Sequence, residues 1–232
     1  MTQLLDVAVL GATGTVGERL VALLDGHPWF RLAEVGASDR SAGEPLGGRV
    51  GASGEGRLSG EAASLRLRPV EGPWRSPLLL SALPSGVAAS LEPALAREGH
   101  LVVSNASSHR MGADVPLVVP DVNPDHLQLL ETQSSRWDGG LVTNPNCVVA
   151  GVVVALAPLH RELGLESVVL TTFQAISGAG RPGPPAADLV DNVLPHIAGE
   201  EEKIGEEIQK ILGVAQEGAV TPADIRVSAT AT

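Results

Sequence analysis

The sequence predicts an α/β fold in which a parallel sheet with crossover helices is followed by the start of a second, α+β part. Through residues 1–146, short runs of branched apolar residues alternate with amphipathic helical patterns, as in strand–helix–strand units with right-handed crossovers. The first run also ends in a glycine-rich turn, Gly11-Ala-Thr-Gly14-Thr-Val-Gly17, that opens a helix. Together these observations predict a Rossmann-type domain over 1–146 and a second domain over 147–232.

The elements of the first part follow in chain order. A buried strand in DVAVLGA precedes a helix in GERLVALLDGH that ends at Gly26, and RLAEVGAS is the second strand. Residues 38–64 are rich in glycine and serine, which predicts irregular loops and turns. Further strands are predicted in LRLRPV, PLLLSAL and HLVVSNAS, with a helix in GVAASLEPALAREGH between the last two.

The second part begins near residue 144. NPNCVVAGVVVALAPLHRELG favours a helix by its length, its Asn-Pro start and its stop at Gly164, although valine favours strands. ESVVLTTFQAISGAG predicts a strand that runs into a glycine loop, and IRVSATAT predicts a last strand. Between them, GEEEKIGEEIQKILG is a helix with its isoleucines on one face and with Glu206 and Lys210 spaced for an ion pair.

Composition and charge exclude several classes of function. A net charge of −11 leaves no basic excess to neutralise phosphates, which argues against binding to nucleic acid or anionic membranes. One cysteine cannot form an internal disulfide, the N-terminus lacks a signal peptide, and no apolar run reaches the ~18–20 residues of a membrane span. The six histidines show no metal-ligand spacing. We therefore expect a cytoplasmic globular protein without a metal site.

The glycine-rich turn is typical of a dinucleotide site. Gly11 permits a tight turn, Gly14 lets a pyrophosphate approach backbone N–H groups at a helix N-terminus, and Gly17 lets helix and strand pack closely. The alternative is a purely structural turn. The cofactor-binding residues predicted here are Gly11, Thr13, Gly14, Thr15 and Val16.

The end of the second strand bears on which dinucleotide is bound. A carboxylate there would hold a ribose 2′-hydroxyl, whereas this sequence has small hydroxyls and an arginine: Ser38, Arg40 and Ser41. These groups suit a 2′-phosphate, so we expect NADP as the cofactor. A polar turn with a solvated arginine is the alternative.

The only cysteine, Cys147, lies in LVTNPNCVVAG. If Asn144 caps the helix and Pro145 takes its first position, Cys147 lies in the first turn. There the helix dipole stabilises a thiolate, and free N–H groups can bind an oxyanion. A single cysteine among valines is also typical of a core residue, so the Asn-Pro-Asn start favours a nucleophile but leaves both interpretations open.

Three other stretches carry candidate site residues. Arg110, which follows a predicted strand, either faces a cleft at the carboxyl edge of the sheet or lies in a surface loop. Gln174 ends a strand beside a glycine loop, where an exposed amide is the alternative. The charged run Glu200–Lys203 is, by itself, typical of a solvated helix face.

Several motifs together resemble one family. GATGTVGERL, SDRSAG, SALPSGVA, SNASSHRM, TNPNCVVAG, QAISGAGRPG and GEEEKIGEE occur in an order similar to that of the aspartate-β-semialdehyde dehydrogenase family, especially its archaeal and fungal-like branch. The resemblance runs from Val7 to the last residue. NPNC, QAISGAG and GEEEK are its most specific elements.

The resemblance implies an NADP-dependent oxidoreductase of lysine, threonine and methionine biosynthesis with a substrate and dimerisation domain after the cofactor domain. The implied reaction reduces β-aspartyl phosphate to aspartate semialdehyde and phosphate through a thioacyl group on Cys147, with Gln174 beside the acyl group. The implied substrate-binding residues are Arg110, Asn146, Glu200 and Lys203. The further cofactor-binding residues that it implies are Ser81, Asn105, Ser177 and Gly178.

The resemblance also implies features that lie beyond this sequence. In the family, the last strand leads to an arginine for the substrate carboxylate and a histidine that acts as general acid and base, whereas this sequence ends at Thr232. We therefore expect little turnover from these 232 residues alone, and a homodimer or homotetramer for the intact family member. The alternatives are a related cysteine acyl reductase that uses N-acetylglutamyl phosphate or malonyl-CoA, and a non-catalytic NADP-binding remnant.

Overall fold

The structure, a computed structural model, describes residues 3–50, 58–179 and 183–232. The chain divides into two units, of which the first comprises Met1–Ser108 and Gln133–Val142 and the second His109–Thr132 and Thr143–Thr232. Each unit has its own hydrophobic core.

A six-stranded sheet forms the centre of the first unit. Its strands are β1 (Leu5–Leu10), β2 (Phe30–Ala37), β3 (Leu67–Pro69), β4 (Leu78–Ser81), β5 (Leu101–Ser104) and β6 (Gly140–Thr143). Their order is β3-β2-β1-β4-β5-β6, and β1 pairs in parallel with both β2 and β4. The β2–β3 and β4–β5 pairs are parallel as well. This order is that of the Rossmann fold, in which ligands bind at the carboxyl ends of the strands where the order reverses, here β1 and β4. The predicted Rossmann-type sheet is confirmed.

Three helices pack on this sheet, and the sequence predicts the first and the third of them. They are α1 (Thr15–Leu24), α2 (Gly60–Ser64) and α3 (Ser85–Arg97). In α1, Val21 and Leu24 pack against a core that includes Val7 and Val35. Residues 7–10 of β1 are apolar and buried, and α1 has an apolar face of helical period. The two patterns are consistent, since a strand buried on both faces needs an apolar helix face to cover it.

The predicted irregular stretch 38–64 contains more regular structure than expected. It holds 3-10 turns at Asp39–Ser41 and Leu46–Gly48 and the short helix α2. Ser59 caps α2, because its Oγ accepts a hydrogen bond from the Ala62 N–H at 3.3 Å. Residues 51–57 of the stretch lie outside the described residues.

The second unit combines helices with two small sheets. Its helices are α4 (Leu129–Gln133), which ends at the unit boundary, α5 (Cys147–Leu163), α6 (Ala186–Leu189) and α7 (Glu200–Ile211). Strands β7 (Ser167–Thr172) and β10 (Arg226–Ala231) pair in parallel, and β8 (Val214–Gln216) with β9 (Ala219–Thr221) forms an antiparallel hairpin. The predicted helix from the NPNC motif and the predicted last strand are therefore present, whereas the hairpin was not predicted.

The two long helices of this unit pack their apolar faces together. In α5 the buried face is Val149, Val153 and Ala157, and in α7 it is Ile204, Ile208 and Ile211. The inner face of the β7–β10 sheet contributes to the same core. This packing outweighs the strand preference of the valines, and α5 ends at Gly164, where φ is +69°.

Residues 109–132 belong to the second unit, although the sequence analysis assigns them to the first domain. Leu117, Val119 and Val122 lie in the core that α5 and α7 form. This segment has no long strand or helix whose periodicity could have indicated its packing partner. The second change of unit, between residues 142 and 143, lies close to the predicted domain boundary between residues 146 and 147. The functional division into a cofactor domain and a catalytic domain stays a prediction.

Candidate active site

The glycine-rich turn in the first unit has the close packing that a dinucleotide site requires. Gly11 has φ +78°, and a Cβ on it would lie 2.7 Å from the Ala82 carbonyl oxygen. A Cβ on Gly17 would lie 2.0 Å from the carbonyl oxygen of Gly11, so helix and turn pack as predicted. Gly14 is the N-cap of α1 and offers no side-chain cap. The first N–H groups of α1, which include those of Thr15 and Val16, therefore have no partner from a cap and can receive an anion.

The residues expected at a 2′-phosphate follow β2 directly. Ser38 and Arg40 are exposed, and within the described residues Arg40 has no ion-pair partner. Ser41 is buried, and its N–H donates to the Ser38 carbonyl at 2.9 Å. Arg40 is therefore the accessible cation of this turn, while the Ser41 hydroxyl is less accessible than the sequence suggests.

Ser81 and Asn105 lie at the carboxyl ends of neighbouring strands, β4 and β5. The Ser81 hydroxyl is fully buried and donates to Glu92 of α3 at 2.6 Å, and the Ser104 hydroxyl donates to the same carboxylate at 2.7 Å. Asn105 donates its backbone N–H to the Ser81 carbonyl at 2.9 Å. Glu92, which was not predicted from the sequence, thus joins the carboxyl ends of β4 and β5.

Cys147 is the first residue of α5, and its side chain is exposed. The interpretation as a buried core cysteine is therefore wrong. The expected cap is also wrong, since the N-cap is Asn146, whose Oδ1 accepts from the Val148 N–H at 2.9 Å. Asn146 keeps an extended ψ of 143°, so the helix begins one residue after it and Pro145 precedes the cap. With this cap, Cys147 still lies in the first turn of α5, as expected.

A cavity of about 600 Å³ in the second unit contains the predicted catalytic residues. Cys147, Gln174, Asn146 and Glu200 all line it. Gln174 is anchored by its backbone N–H, which donates to the Thr232 carbonyl at 2.7 Å. Its side-chain Nε2 is buried and has no hydrogen-bond partner within residues 3–50, 58–179 and 183–232. Because an unpartnered buried amide is costly, this donor is suited to a substrate oxygen in the cavity.

The predicted glycine loop after β7 is a 3-10 turn at Ile176–Ala179. Gly178 lines the cavity, and a Cβ on it would lie 3.9 Å from Gln174 Oε1. The side chain of Ser177 lies outside the described part of the structure, as do residues 180–182 of the same motif.

The charged start of α7 faces the cysteine turn. Glu200 Oε2 accepts from Asn146 Nδ2 at 2.6 Å, and its Oε1 lies 3.5 Å from Lys203 Nζ. Lys203 keeps 42% of its side chain exposed. The interpretation of this run as a solvated face is therefore wrong for Glu200, which lines the cavity, whereas Glu202 is exposed.

Arg110 is buried, which excludes the surface-loop interpretation. Its Nη1 donates to Glu207 Oε1 at 2.8 Å, and Glu207 Oε2 accepts from the Asn146 backbone N–H at 2.6 Å. The structure thus connects Arg110 to the turn before Cys147 through Glu207, a residue that the sequence analysis did not single out.

Lys210 has a different role from the one predicted. Glu206, its expected partner, is exposed, while Lys210 is buried and donates to the carbonyls of Arg110, Gly112 and Val115 at 2.6, 2.7 and 2.8 Å. Burial lowers the pKa of Lys210 to about 8, although the charges of Asp114 and Glu207 act in the opposite direction.

No helix within the described residues has the length and apolar character needed to cross a membrane. The same residues contain no group of three or more His, Cys, Asp and Glu side chains that could hold a metal ion.

Comparison with known proteins identifies relatives of both units. A family model described as the NAD binding domain of semialdehyde dehydrogenase matches residues 6–130. A second, described as the dimerisation domain of semialdehyde dehydrogenase, matches residues 156–232.

Individual relatives agree with these matches. Aspartate-semialdehyde dehydrogenase of Archaeoglobus fulgidus is 44% identical over 97% of this chain, which spans 66% of the relative's length. The crystal structure of aspartate semialdehyde dehydrogenase with NADP from Candida albicans has a TM-score of 0.88 at 34% identity, over 99% of this chain and 67% of the other. Malonyl CoA reductase (NADP) of Metallosphaera sedula is 34% identical over 100% of this chain and 66% of its own.

Proposed function

Because the chain belongs to the aspartate-semialdehyde dehydrogenase family, we propose that it carries the cofactor site and nucleophile of an NADPH-dependent acyl phosphate reductase. The substrate that we propose is β-aspartyl phosphate, and the products are aspartate semialdehyde and phosphate. The observation that carries the proposal is the exposed Cys147 at the first position of α5, in one cavity with Gln174 and Glu200.

The chemistry starts at the cysteine turn. The N-terminus of α5 stabilises the Cys147 thiolate, which attacks the acyl carbon, and the bond from that carbon to the phosphate oxygen breaks. The acyl group is then a thioester on Sγ. The unpartnered Nε2 of Gln174 is suited to donate a hydrogen bond to the acyl oxygen, where negative charge develops.

We assign the charged residues near the cysteine turn to different groups of the substrate. Lys203, whose side chain is 42% exposed, and Arg110 are the cations that we assign to the phosphate. Glu200 lines the cavity and is suited to the substrate's ammonium group. Asn146, held by Glu200 and by its cap bond, orients the turn that bears the nucleophile.

The residues of the first unit fit NADPH. The cradle at Gly11 and Gly17 leaves no room for a Cβ, and the uncapped start of α1 receives the pyrophosphate. Arg40 is the group that we assign to the 2′-phosphate, which makes NADPH the preferred dinucleotide. When bound, the cofactor would supply the hydride that reduces the thioester to the aldehyde, with the Cys147 sulfur as the leaving group.

A second candidate function has one specific observation in its favour. The malonyl-CoA reductase of Metallosphaera sedula is 34% identical to this chain, and its name specifies NADP. The same thiolate could accept a malonyl group from CoA instead. The Glu200–Lys203 pair favours the amino-acid phosphate, because it supplies a carboxylate for an ammonium group and a cation for a phosphate.

The family is also the basis of our proposal for assembly and location. We propose that the protein is a cytoplasmic homodimer or homotetramer that acts in the biosynthesis of lysine, threonine and methionine. Residues 156–232 match the dimerisation domain, and this unit exposes large apolar side chains, with Val169 at 85% and Phe173 at 83% exposure.

Acyl transfer without NADPH tests the proposal directly. The chain is mixed with β-aspartyl phosphate or with malonyl-CoA, and the adduct is located by mass spectrometry, with Cys147→Ser as the control. We expect an aspartyl adduct on Cys147. An adduct from malonyl-CoA alone would favour the second function. Absence of both adducts from a chain that binds NADPH would contradict catalysis and support the nucleotide-binding remnant.

A further inference from the structure

Glu207 differs from the other glutamates of α7 in its burial. Its side chain is 2% exposed, whereas its neighbour Glu206 is exposed on the same helix. A buried carboxylate is costly unless its oxygens are hydrogen-bonded and its charge is balanced. Both conditions are met for Glu207, and its partners are Arg110 and the backbone of Asn146, which lies next to Cys147.

The two carboxylate oxygens of Glu207 contact two separate segments. Oε1 accepts from Arg110 Nη1 at 2.8 Å, in the segment that follows β5 in the chain. Oε2 accepts from the backbone N–H of Asn146 at 2.6 Å, one residue before Cys147. Asn146 in turn uses its side chain to cap α5 and to contact Glu200.

We propose that Glu207 is a positioning residue of the reaction: it holds the Pro145–Asn146 peptide, which precedes Cys147, together with Arg110, and its charge balances that of Arg110. The inference rests on the proposed function for the roles of Cys147 and Arg110. Glu207 itself takes no proton and contacts no substrate in this account.

The charge balance gives the proposal a distinctive consequence. The other charged groups about Glu207 and the cysteine turn are Glu200, Lys203 and Lys210 of α7, Asp114, and His196, whose Nδ1 lies 3.5 Å from Glu201. Lys210 also responds to the pair, because the charge of Glu207 raises its pKa. Removing the Glu207 charge leaves the Arg110 cation unbalanced and favours the thiolate, whereas removing Arg110 leaves an unbalanced carboxylate and disfavours it.

The test follows Cys147 alkylation by iodoacetamide against pH in Glu207→Gln, Arg110→Gln and the double variant, with Glu206→Gln as the matched exposed control. Glu207→Gln should lower the midpoint of the profile of alkylation rate against pH by about one pH unit, which makes the reaction about tenfold faster at pH values below the midpoint. Arg110→Gln should raise this midpoint by a similar amount. The double variant should lie near the unmodified protein. Shifts in the same direction, as simple loosening of the turn would cause, would overturn the proposal, as would a Glu207→Gln profile equal to that of Glu206→Gln.

Two further measurements keep the outcome decisive. If Glu207→Gln does not fold, Arg110→Met/Glu207→Met removes both charges at similar volume and should keep the unmodified midpoint. If Cys147 of the unmodified protein does not react, the proposed function fails. Positioning is then read from hydrogen exchange at the Asn146 amide, which should be at least about tenfold faster in Glu207→Ala than in Glu206→Ala. Equal exchange would refute the positioning role.

Discussion

Replacement of Lys210 by methionine should destabilise the second unit more than replacement of an exposed charged residue of α7 would. Lys210 is 3% exposed and donates to three backbone carbonyls, those of Arg110, Gly112 and Val115. Methionine keeps much of the length of the side chain but provides no donor. The segment that carries Arg110 would thus lose its anchor on α7.

The magnitude follows from the carbonyls that remain. Each buried acceptor left without a partner costs about 1–3 kcal/mol, and the variant regains part of the cost of burying an ammonium group. A net loss of about 3–5 kcal/mol in the free energy of unfolding is expected. At about 2–4 °C per kcal/mol for a protein of this size, Tm should fall by roughly 6–20 °C. Lys203→Met is the control, because Lys203 lies on the same helix but is 42% exposed, and it should cost less than about 1 kcal/mol.

The pH dependence supplies an independent check on the same residue. Burial lowers the pKa of Lys210 to about 8 from the model-peptide value of 10.5, so between these pH values the unfolded chain binds more protons than the folded one. Stability from this group is therefore constant below pH 8 and rises as the pH increases through that window. From pH 7.5 to 9.5 the free energy of unfolding of the unmodified protein should gain about 2 kcal/mol relative to Lys210→Met.

Thermal and urea unfolding followed by circular dichroism measures both effects. The reasoning fails if Lys210→Met unfolds within about 1 kcal/mol of Lys203→Met at pH 7, since the three carbonyls would then have other partners. It also fails in its pH part if the advantage of the unmodified protein decreases between pH 7.5 and 9.5. That result would mean that the carbonyls raise the pKa of Lys210 by more than burial lowers it.

The remaining predictions address the cofactor, the cap and assembly. Arg40→Ala should weaken NADPH binding about tenfold or more and leave NADH binding unchanged, and equal affinities of the unmodified protein for both dinucleotides, measured by calorimetry, would contradict the assignment. Asn146→Ala should cost about 0.5–2 kcal/mol of stability and slow Cys147 alkylation, and a larger effect of Asn144→Ala on α5 would contradict the observed cap. Light scattering should detect self-association or aggregation, since Val169 and Phe173 are 85% and 83% exposed, and a clean, stable monomer would count against this.

The sequence predicts most of the first unit because its signals are local. β1 ends in four consecutive buried apolar residues, α1 has a helical period, and the glycines between them stand where the chain must turn tightly. Cys147 at a helix N-terminus was predictable for the same reason, since Asn-Pro-Asn precedes a long apolar run. Which asparagine caps was not predictable, because Asn144 and Asn146 have the same side chain and differ only in backbone conformation.

The parts that were not predicted depend on contacts between residues distant in sequence. Lys210 contacts carbonyls about a hundred residues earlier, and Glu207 contacts Arg110 at a similar separation. From the sequence of α7, Glu207 and Lys210 look like two more of its exposed charged residues. They are buried only because residues 109–132 pack against α7. β6, with four residues, is too short for a periodic signal, and Glu92 becomes recognisable only when β4 and β5 bring two serine hydroxyls to it.

The most direct test of the central claim is the rate of Cys147 alkylation by iodoacetamide as a function of pH, with and without a phosphonate analogue of the acyl phosphate. The account predicts a reaction at pH 7 that is faster than that of a free thiol, whose pKa is ~8.5, because the start of α5 stabilises the thiolate. It also predicts that the analogue slows this reaction by occupying the cavity lined by Cys147, Gln174 and Glu200. A cysteine that reacts only above about pH 9, or at the same rate with the analogue present, would contradict its assignment as the nucleophile.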